Sequence, residues 1–184
     1  MIFNPIKLGG AYTIDVEPFE DNRGFFSRIF CEREFGEHNL VQHFVQANHS
    51  GTLGKGVIRG LHFQHAPFSE VKLVKCVQGA IFDVIVDVRA GSPTFLQWFG
   101  AELSAVNKRM MYVPAGFAHG FQSLSDYSEI TYMVSDFYNK ESESGIRYDD
   151  ASVDIAWPLP VSLVSDKDRV IKLVDNNFRG VIVS

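Results

Sequence analysis

The chain has 184 residues, 46% hydrophobic and 21% charged, the balance of a globular protein long enough to bury a sizeable core. A formal net charge of −5 disfavours a broad nucleic-acid or anionic-membrane surface, which needs clustered Lys and Arg. It leaves room for a small anion held by a few local cations.

By length the chain is expected to form one domain over residues 1–184. No apolar run approaches the ~20 residues of a membrane span. The start, "MIFNPIKLGG", lacks the basic and apolar regions of a signal peptide. Cys31 and Cys76 lie far apart, outside any CxxC or zinc-type spacing, and read as two thiols in a reducing compartment. A cytoplasmic protein is expected.

Along the chain, short runs of Val, Ile, Phe and Tyr alternate with Gly, Pro, Asn and Asp. "CEREFGEHNL" is the best helix candidate, ended by Gly or Asn. "VIRGLHFQH", residues 57–65, is a β-leaning run that carries an arginine and two histidines. "VKLVKCV" and the run after "VQGA" form a hairpin. In its second strand Phe82, Val84, Val86 and Val88 share one face, and Asp83, Ile85 and Asp87 the other. "TFLQWFGAEL", "MMYVPAGFAHGFQSLSD" and "SEITYMVSDFY" continue the series, and a second helix is expected near "KDRVIKLVD". This spacing predicts an all-β fold, an antiparallel sandwich or barrel such as a jelly roll, with short helices at its periphery.

The polar residues inside these strands carry the functional question, because burying imidazole or guanidinium beside hydrocarbon is costly without a partner. His62, His65, Glu70 and His119 could ligate a metal, but His62 and His65 are three apart, and a regular strand sends them to opposite faces. No phosphate-cradling glycine loop is present: "SGTLGKG" has neither the spacing nor the following Ser or Thr. Phosphate would then be gripped by side chains, with Arg23, Arg59 and Lys72 as candidates. If Tyr132 faces His62 across a pocket, a phenol and an imidazole on opposite sides of a ligand can invert a carbon centre.

Taken together and in order, "DNRGFFSRIF", "VQANHS", "KGVIRGLHFQ", "VKLVKCVQGAIFDVIVDVRAGSPTF", "VPAGFAHGF", "YMVSDFY", "ESESGIRYDD" and "SDKD" resemble the dTDP-4-dehydrorhamnose 3,5-epimerase family over nearly the whole chain. The resemblance implies a cupin-type jelly-roll barrel and a metal-free, cofactor-independent epimerase of a nucleoside-diphosphate 4-keto-6-deoxy sugar, with inversion at C3 and C5. It implies that His62 is the base, Tyr132 the acid and Asp168 the partner of His62, with Asp166 as the neighbouring alternative. Lys72 and His119 match groups near the sugar oxygens and diphosphate. Arg23, Phe26, Gln46, Asn48, Arg59 and Glu143 match substrate-binding positions. Family members are homodimers with exchanged N-terminal strands, so Arg23 is expected to act across the interface.

Two positions depart from the family pattern: Arg28 replaces a common glutamate, and Met133 a common lysine after the tyrosine. The first leaves CDP- and GDP-linked sugars open beside a dTDP sugar. Arg59 and His62 differ in strand parity, and a bend or bulge at Gly60 would bring both to one site. The alternatives are a single-centre C3 or C5 epimerase, a 3,4-ketoisomerase, a metal-dependent oxygenase, and a non-catalytic nucleotide-sugar binding module.

Overall fold

A computed structural model describes residues 1–183. The chain enters through β1 (Ile2–Pro5) and β2 (Tyr12–Asp15), then an isolated hairpin, β3 (Phe19–Asp21) with β4 (Gly24–Phe26). After α1 (Glu32–Glu37) come β5 (Gln46–Leu53), β6 (Val57–Gln64), β7 (Lys72–Gln78), β8 (Ala80–Asp87) and β9 (Trp98–Ser104). The remaining strands are β10 (Met110–Val113), β11 (Phe117–Ser123), β12 (Tyr127–Val134), β13 (Glu143–Gly145) and β14 (Leu163–Val164), followed by α2 (Asp166–Arg169).

Sheet I runs β1-β2-β10-β7-β12-β5, and sheet II runs β13-β6-β11-β8-β9, with β14 parallel to β6. The all-β expectation holds, but the closed barrel does not: neither sheet returns to its first strand. A barrel needs backbone pairing without a break. Here β5 and β6 are consecutive yet lie in different sheets. β5 is the last strand of sheet I, whereas β6 is flanked by β11 on one side and by β13 and β14 on the other, so it has no free edge to pair with β5. The Arg59 side chain spans the gap instead: Nε donates to Thr52 Oγ1 at 2.9 Å and Nη2 to the Gly51 carbonyl at 2.9 Å.

The strand alternation read for β8 is observed. Ile81 and Ile85 point between the sheets, packing with Val74, Cys76, Leu103, Met111, Phe121 and Ile130. Phe82, Val84, Val86 and Val88 face outward beneath Ile146, Val153 and Val181. A third layer seats Phe35 of α1 on Ile14, Leu73, Met110 and Tyr112 of sheet I. Much of each sheet is thus covered on both faces, though the outer face of β5 is exposed, and one end of the space between the sheets stays polar.

α1 falls within its expected segment, and Asn39 follows it at φ +56°. The second helix is shorter than "KDRVIKLVD" suggests and ends at Arg169; beyond it the Val174 amide donates to Asp150 Oδ2 at 2.6 Å, a tertiary bond in place of a helical one. No helix among the described residues is long and apolar enough to cross a membrane.

Candidate active site

The parity conflict between Arg59 and His62 is resolved by a bulge. His119 on β11 pairs with His62, and Phe121, two residues on, pairs with Arg59, so the one residue between them, Gly120, faces two of β6, Gly60 and Leu61. Arg59 and His62 therefore share the inward face. Gly60 at the bulge has φ +113°, and a Cβ there would lie 2.6 Å from Gly120 Cα and 2.7 Å from the His119 carbonyl. Only glycine fits this conformation and this approach.

Facing His62 from sheet I is a row set by register. Tyr132 pairs with Asn48, and Val134 with Gln46 and Lys72, so these side chains point inward together. They meet His62, Gln64, Glu70, Tyr138 and Glu143 around a cavity of about 300 Å³. His62 also walls a second cavity of about 560 Å³, formed with Ile146, Ile171, Leu173, Val174 and Phe178. The larger space is lined mainly by hydrocarbon and the C-terminal segment. Tyr132, Lys72 and Glu70 line only the smaller one, which His62 and Glu143 share with the larger.

His62 Nε2 lies 2.7 Å from Asp168 Oδ1, and Gly60 N–H donates to Asp168 Oδ2 at 3.2 Å. Ser165 caps α2 by accepting from the Asp168 amide at 3.1 Å, which fixes the carboxylate behind the imidazole. Burial pushes the Asp168 carboxyl up. The His62 hydrogen bond and charge, with the Gly60 and Ser165 contacts, outweigh that and hold it below the ordinary carboxylate value. Asp166 is exposed, so of the two candidates Asp168 is the one that meets His62. With Nε2 engaged, Nδ1 is the free imidazole nitrogen.

Tyr132 is pushed above the ordinary phenol value, first by desolvation and then by the charge of Glu70, with Arg59 opposing. It is held as a neutral phenol. Lys72 Nζ lies 2.9 Å from Glu70 Oε1. Glu143 accepts from Lys167 Nζ at 2.6 Å and from Tyr138 Oη at 2.9 Å. Desolvation raises its pKa, and these partners bring it below the ordinary value. Gln46 Nε2 donates to Asn48 Oδ1 at 2.8 Å.

Other expected site residues lie elsewhere. His119 is buried behind His62, its Nε2 2.8 Å from Asp83 Oδ1, and it does not line the cavity. Arg23 and Phe26 sit on the β3–β4 hairpin, exposed, with Arg23 bound to Asp21 of its own turn. Arg28 is tied to Glu34 at 2.8 Å. Met133 packs on the opposite face of sheet I from Tyr132, against the Phe35 layer. His65 is exposed beyond the end of β6, and among the described residues no three His, Cys, Asp or Glu side chains converge as a metal site.

Gln64, Tyr138 and Lys167 were not singled out from sequence, and Glu70 only as a candidate ligand. Alternation from His62 could have found Gln64, two residues on. Loop residues such as Glu70 and Tyr138 carry no periodic signal.

A carboxylate-backed imidazole and a neutral phenol from facing sheets, around one desolvated polar cavity, define an isomerase-type enzyme that moves protons on a bound ligand. Known proteins narrow that class. The family model for dTDP-4-dehydrorhamnose 3,5-epimerase matches residues 5–176. A dTDP-4-dehydrorhamnose 3,5-epimerase of Shigella flexneri is 50% identical over 179 residues, 95% of this chain and 98% of that protein. The crystal structure of the enzyme of that name from Elizabethkingia anophelis superposes with a TM-score of 0.92 at 40% identity, over 97% of this chain and 98% of that one. A Legionella pneumophila dTDP-6-deoxy-D-glucose-3,5-epimerase, solved in complex with dTDP-4-keto-L-rhamnose, gives 0.90 at 39% identity, over 100% and 99%. The chain belongs to the dTDP-4-dehydrorhamnose 3,5-epimerase family.

Proposed function

We propose that this chain, acting as one domain over residues 1–184, inverts C3 and C5 of a dTDP-linked 4-keto-6-deoxy sugar. The observation that carries the reading is that His62 and Tyr132 line one cavity from opposing sheets. The 4-keto group makes its neighbouring C–H bonds acidic, because the electron pair left behind is stored as an enolate. His62 Nδ1 takes the proton, and Asp168 stabilises the imidazolium that forms. Lys72 donates to the developing oxyanion in a site shielded from water. Tyr132 then delivers its proton to the other face of the carbon, becoming a phenolate, while the enolate pair forms the new C–H bond and the ketone returns. Solvent reloads the phenol and accepts the proton from His62. The sequence is redox-neutral, and each step uses a group of this chain.

Arg59, Gln46, Asn48 and Glu143 are the binding groups at the mouth of this cavity. The hairpin supports a homodimer: Phe19, Phe25 and Phe26 are 76%, 59% and 70% exposed on two strands paired to neither sheet. Laid on a second copy, it would carry Arg23 and Phe26 to the partner's site, with His119 acting from behind His62. The two unpaired thiols, Cys31 and Cys76, support a cytoplasmic enzyme.

The test is turnover of the dTDP-linked 4-keto-6-deoxy sugar in heavy water, followed by NMR. Deuterium at both C3 and C5 is the expected result. Label at one centre would make this a single-centre enzyme, a carbonyl moved to C3 a ketoisomerase, and binding without exchange a binding module. CDP- and GDP-linked sugars run beside it report the nucleotide preference.

A further inference from the structure

Lys72 is not free in the cavity. It shares an ion pair with Glu70, and the two side chains are only 11% and 9% exposed. The second Glu70 oxygen accepts from Gln64 Nε2, which also donates to the Phe68 carbonyl at 3.0 Å and the Phe137 carbonyl at 3.2 Å. Gln64 Oε1 in turn accepts from the Asn139 amide at 2.6 Å. The carboxylate is therefore fixed from two sides, at the wall of a site built for a polyanionic ligand. A fixed negative charge there weakens ligand attraction, so its placement needs another reason.

That reason lies in what surrounds Tyr132. Glu70 from the β6–β7 loop, Lys72 from β7, His62 from β6, Glu143 from β13 and Tyr138 from the segment after β12 share its cavity, and Arg59 of β6 is near enough for its charge to oppose that of Glu70 on the phenol. Glu70 and Glu143 are the carboxylates of this set, and Glu143 already serves Lys167 and Tyr138. We propose that Glu70 is a positioning residue that pins the Lys72 ammonium to the cavity wall and keeps Tyr132 protonated, so that the acid of the reaction is reloaded quickly after each turnover. The role rests on Tyr132 being that acid. The upward push that Glu70 gives the phenol agrees with it.

Two measurements test it. In Glu70→Gln, which keeps an acceptor for Gln64 but loses the charge, the basic limb of the kcat profile should move to lower pH. Tyrosinate absorbance, taken as the difference between each protein and its Tyr132→Phe counterpart, should shift in the same direction. Glu70→Asp, which retains the charge, should restore the wild-type limb. A Glu70→Gln profile and tyrosinate titration that overlay those of the wild type would overturn the proposal. If the wild type exchanges no deuterium yet its tyrosinate titration shifts with Glu70→Gln, the functional reading fails and the hold of Glu70 on Tyr132 stands.

Discussion

Two histidine–aspartate pairs sit back to back on neighbouring strands. His62–Asp168 and His119–Asp83 have nearly the same length, 2.7 and 2.8 Å, and the two histidines are direct register partners. Their surroundings differ. The His62 side chain is 30% exposed and opens on the cavity, whereas His119 is 9% exposed and Asp83 is fully buried. Asp83 Oδ2 even lacks a hydrogen-bond partner among the described residues. Pairing with a carboxylate orients an imidazole, but access to a ligand is what allows it to act as a base. The outer pair has that access and the inner one lacks it, which fits the proposed function of His62 as the base.

The sharpest way to break this comparison is to remove each pair in turn. His62→Ala should lower epimerisation by about 10²–10⁴-fold, the usual worth of a positioned base, with a smaller drop in the unfolding midpoint than Asp83→Ala gives, because its site opens on the cavity. Asp83→Ala should do the reverse. It leaves a buried imidazole without its carboxylate, a loss of about 3–5 kcal/mol in denaturant unfolding. Were Asp83→Ala to fold normally and lose only turnover, the inner pair would belong to the chemistry.

Gly60→Ala probes the bulge that separates the two pairs. A methyl group would strike Gly120 and the His119 carbonyl at a φ that L-residues avoid, so a cost of about 1–3 kcal/mol and a misplaced His62 are expected. Stability and exchange rate should fall together. The smallest effect is on acid stability. The Asp168 carboxyl is depressed in the folded protein, so its stabilisation is complete above the unfolded value of about 3.9 and is lost as the pH falls through the folded value. Asp168→Asn should flatten the acid end of a stability-versus-pH curve, and an unaltered slope would mean that the ion pair contributes nothing there.

Much of the fold could be read directly. The alternation of Phe82, Val84, Val86 and Val88 against Asp83, Ile85 and Asp87 appears as two faces of β8, because the strand period leaves no other arrangement. A closed barrel was the wrong inference from the same strands. Closure needs a free edge on both strands, and the flank of β6 away from β11 is taken by β13 and β14, which leaves β5 unpaired on its outer side. Of the candidate site, His62, Tyr132, Lys72, Gln46, Asn48 and Glu143 line one cavity, and Asp168 rather than Asp166 lies behind the imidazole. Arg23 and Phe26 are far along the surface on their hairpin, and nothing local in "DNRGFF" says how that hairpin lies.

Spacing and periodicity by themselves determined the strand content, because the strand period is local, while the ordered motifs, through their resemblance to a known family, determined the family and pointed to His62 and Tyr132. Which carboxylate backs His62, that His119 turns inward to Asp83, and that Glu70 holds Lys72 were decided only by tertiary structure. The two histidine–aspartate contacts join residues 106 and 36 positions apart, the first across a bulge, and even the Glu70–Lys72 pair depends on Gln64 holding the other carboxylate oxygen. Contacts of that range depend on how strands register and sheets stack, and no short window of sequence encodes that.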